Sequence, residues 1–156
     1  MKIVVVDQAS LAGLGPGLWK PLEALGEVAA YEGTAPGEPY GRVREADVVS
    51  TNKVVLDAPL IARLPALKCV AVTAAGTNNV DLAAARARGI PVCNTPAYGT
   101  DAVAQHAFAL LLEICRRAGL HDASVKAGEW GRRGTFCYLL SPQLELTGKT
   151  FGVLGY

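Results

Sequence analysis

The feature that most constrains the fold of this chain is a series of short apolar runs, spaced about 20 residues apart and separated by helix-like segments. The first run, KIVVV at residues 2–6, is apolar on both faces, as expected for a parallel strand that helices cover on both sides. Four further strands are predicted at residues 27–31, 46–50, 68–73 and 90–93. Alternating strands and helices of this kind form a doubly wound parallel sheet. We therefore predict a flavodoxin-like α/β domain.

The connections between these strands carry recognisable helix signals. Residues 18–25 are predicted to form a short helix that Gly26 ends. Asp57 is expected to cap a helix that runs through Leu64, and Asp81 a helix that ends at Gly89. Residues 32–41 contain three glycines and two prolines, so we expect them to form a loop.

Composition and charge exclude several classes of function. Fifteen basic and fourteen acidic residues leave a net charge of +1, which argues against a nucleic-acid partner or an anionic membrane surface. No apolar run approaches the roughly 18 residues of a membrane span. The four cysteines are far apart and the chain has two histidines, so no metal site is expected. Widely spaced thiols are typical of proteins in a reducing cytoplasm.

A long helix is predicted after Pro96, with Thr100 or Asp101 as its cap. The helix is apolar over most of its circumference, so we expect another domain or a second subunit to cover what the first domain leaves exposed. The alternative is a central helix within a single domain. Residues 149–154 are predicted to form a further parallel strand, and Gly155 stands where a strand would turn towards a phosphate-binding helix. A plain C-terminal edge strand is the alternative.

Several segments together resemble the D-isomer-specific 2-hydroxyacid dehydrogenases. The matching segments are TNKVVLD (51–57), AVTAAGTNNVDLAAARARGIPVCNTP (71–96), YGTDAVAQHAFALLLEI (98–114), AGEW (127–130) and LTGKTFGVLGY (146–156). Within the family, TNK combined with GTDAVAQHAFALLLE is most similar to the glycerate dehydrogenase (hydroxypyruvate reductase) branch.

The resemblance implies a two-domain organisation. Residues 1–96 would form most of a substrate domain. Residues 97–156 would begin a Rossmann domain that binds NAD or NADP, truncated at the first glycine of its GxGxxG fingerprint, with the long helix forming a homodimer contact. The parent protein would be a cytoplasmic oxidoreductase acting on small D-2-hydroxy acids such as glycerate, or on hydroxypyruvate. We expect the 156-residue chain alone to be inactive. The alternative is a non-enzymatic binding or dimerisation module derived from the same fold.

The candidate binding residues follow the third and fourth strands, which end at the same edge of the sheet. Gly76 allows close backbone approach, and successive N–H groups of residues 74–77 could bind a carboxylate. The resemblance implies that Ala75, Gly76 and Thr77 hold the substrate carboxylate and that Thr77 also lies near the cofactor. The alternative is an ordinary turn with an asparagine cap at Asn78 or Asn79.

Four other positions are also candidates. Asn52 and Lys53 could converge on the same ligand, although Lys53 could equally be a solvated lysine. The resemblance places Val103 near the nicotinamide, where plain core packing is the alternative, and Gly155 in the phosphate-binding turn.

No residue is assigned a catalytic acid–base role. Neither His106 nor His121 has a nucleophilic or acidic residue at a sequence spacing that is typical of a catalytic pair. The catalytic histidine and glutamate of the family, and its substrate-binding arginine, have no counterpart in the chain.

Overall fold

The computed structural model of the chain describes residues 1–11, 13–15 and 17–154. It contains two compact units, one formed by Met1–Tyr98 and the other beginning at Gly99. The identification of these units with a substrate domain and a nucleotide-binding domain stays a prediction. Among the described residues, no helix is both long and apolar enough to cross a lipid bilayer.

The first unit is built on a five-stranded sheet in which all neighbouring strands are parallel. The strands are β1 (Lys2–Val5), β2 (Glu27–Ala30), β3 (Val48–Thr51), β4 (Cys69–Val72) and β5 (Val92–Cys93). Their order is β2-β1-β3-β4-β5, which is the flavodoxin-like arrangement. This confirms the predicted fold class, because each predicted apolar run overlaps one of the five strands.

Four short α-helices and one 3₁₀ helix connect the strands. They are the 3₁₀ helix Gln8–Leu11, α1 (Lys20–Glu23), α2 (Pro39–Val43), α3 (Ala58–Ala62) and α4 (Leu82–Ala87). The predicted caps of the last two are confirmed: Asp57 accepts a hydrogen bond from the Leu60 N–H, and Asp81 accepts one from the Ala84 N–H. Gly89 follows α4 with a φ of +66°, a conformation that favours glycine.

The core of this unit consists of aliphatic side chains from one face of the sheet. Pairing brings Val4, Val49, Val70 and Val92 into one row across four strands. Helix residues Val43, Ile61 and Ala85 are buried in the same cluster. Burial of each large aliphatic side chain stabilises the fold by about 1.5–3 kcal/mol. A sheet held in this way fixes where the loops at the carboxyl ends of the strands begin.

The second unit is helical over most of its length. It contains α5 (Thr100–Arg116), α6 (Ala118–Lys126) and α7 (Glu129–Arg133). Phe108 of α5 stacks on Phe151 with ring centroids 5.9 Å apart. The described residues leave most of α5 uncovered. Cys115 is the buried residue of the helix, whereas the side chains of Val103, Phe108 and Ile114 are more than half exposed.

Four local predictions were wrong or incomplete. The predicted loop 32–41 ends early, because Pro39 takes the first helical position of α2, where its missing N–H costs nothing. The helix predicted over 18–25 is shorter, since α1 spans only Lys20–Glu23.

The cap of α5 is Gly99, and not Thr100 or Asp101. Residues 149–154 form no strand, because no neighbouring backbone in the described chain pairs with them. The predicted turn at Gly155 lies outside the described residues.

Candidate functional site

The loops that follow β3 and β4 begin side by side at one edge of the sheet. Pairing of these strands places Thr51 opposite Val72, so Asn52 and Thr73 leave the sheet together. The Thr73 N–H donates to the Thr51 carbonyl at 2.9 Å, and the Asn52 side-chain amide donates to the Thr73 carbonyl at 3.4 Å. The structure therefore brings the predicted residues Asn52 and Lys53 to the same edge as the turn formed by residues 75–77.

The turn 75–77 presents three consecutive backbone donors. The N–H groups of Ala75, Gly76 and Thr77 donate no hydrogen bond within the part of the chain that the structure describes. Ala75 and Gly76 are exposed, and Thr77 is half-buried. Successive free backbone N–H groups form a concave site for an anion. The turn thus leaves three consecutive backbone donors available to a carboxylate.

Neighbouring backbone and side-chain groups hold the turn in position. Asn94, which follows β5, donates from its side chain to the Ala75 carbonyl at 2.7 Å. The Thr95 N–H donates to the Ala74 carbonyl at 3.0 Å. A Cβ added at Gly76 would lie 3.2 Å from Oδ1 of Asn78, which is closer than an ordinary contact. These contacts fix the Ala74 and Ala75 carbonyl groups of the turn.

Asp7 is a functional candidate that the sequence analysis missed. It follows β1 and is 9% exposed. Its carboxylate accepts hydrogen bonds from the backbone N–H groups of Asn52 at 2.9 Å, Lys53 at 2.6 Å and Val54 at 3.1 Å. Hydrogen bonds to an ionised carboxylate are stronger than neutral ones. Asp7 therefore anchors the loop that carries the predicted Asn52 and Lys53.

Asn79, in the loop after β4, forms hydrogen bonds with the end of β3 and the loop that follows it. It is buried, and its side-chain amide donates to the Val54 carbonyl at 3.1 Å and to Oγ1 of Thr51 at 3.3 Å. Its backbone carbonyl accepts from the Leu56 N–H at 2.8 Å. Neither Asn78 nor Asn79 caps α4, because Asp81 occupies that position. An ordinary turn with asparagines at positions 78 and 79 stays the alternative to a binding loop.

One buried polar atom at the site has no partner. Oδ1 of Asn52 is buried and makes no hydrogen bond within the described residues. A buried acceptor without a donor is costly, so it is usually satisfied by a water or a bound group. The Lys53 ammonium lies next to it in sequence, is exposed, and has no hydrogen bond or ion pair among the described residues. Both groups are free to engage a ligand.

The remaining predicted positions are not brought to this edge by any described contact. Val103 lies in the first turn of α5 and is 69% exposed, and Gly155 lies outside the described residues. Residues 149–154 form neither a strand nor the start of a helix. The cofactor roles of Thr77, Val103 and Gly155 stay predictions.

Neither histidine has an acidic partner among the residues that the structure describes. The Nδ1 atom of His121 lies 2.9 Å from the Arg117 carbonyl, and its Nε2 atom accepts from the Leu140 N–H at 3.1 Å. Both ring nitrogens of His121 are thus used to connect backbone segments. His106 is exposed on α5. In residues 1–11, 13–15 and 17–154, no three His, Cys, Asp or Glu side chains are grouped so that they could hold a metal ion.

Comparisons with known proteins agree with this description. The profile of the family described as "D-isomer specific 2-hydroxyacid dehydrogenase, catalytic domain" matches residues 4–149. A hydroxypyruvate reductase from Blautia hydrogenotrophica is 43% identical over an alignment of 161 positions, which covers 100% of this chain and 49% of that protein. A glycerate dehydrogenase from Methylorubrum extorquens is 37% identical over 83% of this chain and 42% of its own length.

Solved structures show the same relationship. An NADPH-dependent glyoxylate/hydroxypyruvate reductase from Sinorhizobium meliloti, solved in complex with citrate, has a TM-score of 0.69 and 31% identity, covering 94% of this chain and 44% of that one. The same enzyme in complex with NADP and malonate has a TM-score of 0.62 and 29% identity, with coverages of 87% and 41%. The chain spans about half the length of the curated relatives it matches.

Proposed function

This chain belongs to the D-isomer-specific 2-hydroxyacid dehydrogenase family, and we propose that it supplies the carboxylate-binding loops of an NAD(P)-dependent oxidoreductase acting on small D-2-hydroxy acids or the corresponding 2-oxo acids. The substrates in question are glycerate-like or hydroxypyruvate-like. The relatives named hydroxypyruvate reductase and glycerate dehydrogenase support this choice of substrate class.

The observation that carries the proposal is the set of three free N–H groups in the turn 75–77. A carboxylate placed on this turn would receive hydrogen bonds from backbone donors that the fold has already oriented. Backbone donors that are fixed before the ligand arrives do not have to be ordered during binding. Asn94 and the segment after β5 maintain this orientation through the Ala75 carbonyl.

Asn52 and Lys53 complete the site from the neighbouring loop. The Lys53 ammonium adds a positive charge to an otherwise neutral set of donors, and such a charge favours an acid over its uncharged analogue. Asp7 contributes indirectly: it holds the backbone of residues 52–54, so we regard it as a positioning residue.

The chemical steps are not assigned to this chain. No described residue has the arrangement of a general acid or base, so proton transfer to the substrate oxygen would come from groups elsewhere in the enzyme. We propose that Thr77 and Val103 lie near the NAD or NADP of the complete enzyme, with Gly155 in its phosphate-binding turn.

We further propose that α5 forms the contact of a homodimer. Five apolar side chains of the helix are more than half exposed: Val103, Phe108, Leu110, Leu112 and Ile114. Val103, Leu110 and Ile114 share one face of the helix, and Phe108 and Leu112 share the opposite one. Exposed apolar faces of this kind are typical of a surface that another subunit covers. A cytoplasmic location is also part of the proposal, since all four cysteines are free and far apart in the sequence.

Calorimetric titration of the chain with hydroxypyruvate and with dihydroxyacetone tests the carboxylate site. Dihydroxyacetone is a three-carbon compound of similar size without a carboxylate, so only hydroxypyruvate should bind. Asn94→Ala releases the Ala75 carbonyl and should weaken this binding, whereas Gln105→Ala is a control that removes an exposed amide side chain of α5 with no hydrogen bond within the described residues. Equal binding of both compounds, or equal loss in both variants, would contradict the proposal.

A further inference from the structure

A cleft opens at the carboxyl ends of β1 and β3. Its volume is about 670 Å³, and it lies between residues 33–40 on one side and α3 with the preceding loop on the other. We call it the switch-point cleft and define it by Thr34, Tyr40, Lys53, Val54, Leu60 and Arg63. None of residues 74–79 lines it, so it is separate from the turn 75–77.

The position of the cleft in the topology is one where ligands bind. From β1 the chain goes to β2 on one side of the sheet, and from β3 it goes to β4 on the other, so the connections diverge between β1 and β3. In open α/β sheets this divergence leaves a crevice outside the carboxyl ends of the strands, and ligands bind there. The volume lies within the roughly 300–1,000 Å³ typical of pockets for organic molecules.

Hydrogen bonds hold both walls of the cleft in place. On one side, Oγ1 of Thr34 donates to the Val6 carbonyl at 2.6 Å, and Arg42 donates to the Gly33 carbonyl and to Oγ1 of Thr34. On the other side, Asp7 binds the backbone of residues 52–54. The cleft is therefore formed before any ligand binds.

The charges along the cleft favour an anion. Its two carboxylates are already engaged: Asp7 accepts the backbone N–H groups of its wall, and Asp57 accepts the Leu60 N–H at 2.9 Å. The two cations are not neutralised, since neither Lys53 nor Arg63 forms an ion pair within the described residues. The four formal charges of the lining cancel, but both carboxylates accept backbone N–H groups while both cations lack an ion-pair partner, so the cations are the charged groups available to a ligand carboxylate.

The rest of the lining is mostly apolar, and it includes the planar ring of Tyr40. The Arg63 guanidinium lies over the Tyr40 ring, 3.8 Å from its centroid, which holds both side chains in a fixed arrangement. Tyr40, Val54 and Leu60 are partly buried and pack against the core. A planar apolar body would be covered by these side chains, whereas a three-carbon acid would leave most of the volume empty.

We propose that the switch-point cleft binds an organic carboxylate with a planar apolar body, such as an aromatic acid. The carboxylate lies between Lys53 and Arg63, and the body lies along Tyr40, Val54 and Leu60. This site goes beyond the proposed function, because all of its residues except Lys53 differ from those of the carboxylate site and because its ligand is larger. Lys53 belongs to the loop of both sites, so the occupied cleft also fixes the position of its ammonium group.

Titration of the chain with 2-naphthoate, followed by ¹⁵N chemical shifts, tests this proposal. We expect saturable shifts of the Thr34, Val54 and Leu60 amides, and binding of the uncharged 2-naphthalenemethanol that is weaker by about fivefold or more. Arg63→Gln should weaken naphthoate binding by about fivefold, and Arg63→Lys should retain most of it. Arg86→Gln removes an exposed arginine of α4 and should change nothing.

Three results would overturn the proposal: no saturable shift at these amides, equal affinity for the alcohol, or equal affinity in Arg63→Gln and Arg86→Gln. Arg63→Lys separates loss of charge from loss of fold, because it keeps the cation. The outcome is independent of the proposed function, since hydroxypyruvate is expected to shift the amides of residues 75–77 and naphthoate those of the cleft.

Discussion

Asp7→Asn is the substitution whose effect follows most directly from the structure. The Asp7 side chain is 9% exposed and accepts from three successive backbone N–H groups, those of residues 52–54. Asparagine has the same shape, but it carries no charge and replaces one acceptor oxygen by a donor. The change therefore weakens all three hydrogen bonds and turns a donor towards other donors.

The magnitude can be worked from these contacts. Hydrogen bonds to a charged group contribute about 1.5–3 kcal/mol each, compared with about 1 kcal/mol for neutral ones. Loss of the charge at three bonds should lower the free energy of unfolding by about 2–4 kcal/mol. Asp7→Ala also leaves the N–H groups without an acceptor, so its effect should be at least as large.

Urea unfolding followed by circular dichroism measures this loss, and hydrogen exchange locates it. The amides of residues 52–54 should exchange faster in Asp7→Asn than in the wild type. The matched control is Asp57→Asn, which makes the same chemical change at a carboxylate that accepts one N–H on the exposed start of α3. Asparagine and aspartate are equivalent caps there, so this control should lose less than about 0.5 kcal/mol. If Asp7→Asn loses no more than Asp57→Asn, the anchoring role of Asp7 is refuted.

Three further predictions concern acid stability, assembly and activity. The Lys68 side chain and the Lys2 backbone N–H hold the pKa of Asp47 below its ordinary value of 3.8, so Asp47 stabilises the fold above that value and the effect disappears as the pH falls through the lowered pKa. In urea unfolding at pH 7, Asp47→Asn should therefore have a lower free energy of unfolding than the wild type. Well below pH 3.8 the two proteins should be equally stable. If the difference in free energy of unfolding is the same at both pH values, the ion pair does not stabilise the fold as described. Ile114→Glu places a charge on the exposed apolar side of α5 and should convert a dimer into a monomer by light scattering, an expectation that fails if the wild type is already monomeric at micromolar concentration. The purified 156-residue chain should show no NADH-dependent reduction of hydroxypyruvate, and steady turnover by material of verified mass would contradict the absence of an acid–base residue.

The elements that depend on local sequence could be predicted. The run KIVVV gives β1, and Asp57 and Asp81 cap their helices, because strand propensity and capping involve residues close together in the chain. The alternation of strands and helices was sufficient for the fold class, since handedness and packing leave few arrangements of such units.

The features that were missed depend on distant pairing. Asp7 binds residues 52–54 because β1 lies next to β3, with Val5 opposite Ser50, and nothing near Asp7 in the sequence indicates this. In the same way, residues 149–154 have the composition of a strand, but a strand forms only where another backbone pairs with it. Composition alone cannot supply that neighbour.

The position of the site was predictable, but its details were not. Residues 52–53 and 75–77 could be placed at one edge of the sheet because parallel strands end together. The support that Asn94 gives to Ala75 and the unpaired Oδ1 of Asn52 emerge only from the assembled loops. The sequence contains an asparagine at each position, but nothing in the pattern distinguishes these from the exposed Asn78.

The most direct measurement of the central claim is a ¹⁵N titration of the chain with hydroxypyruvate that follows each backbone amide separately. Carboxylate binding should shift the Ala75, Gly76 and Thr77 resonances downfield together, with one common binding constant, and leave the amides of β2 unchanged. If those three resonances stay in place while the ligand binds, the turn does not hold the carboxylate.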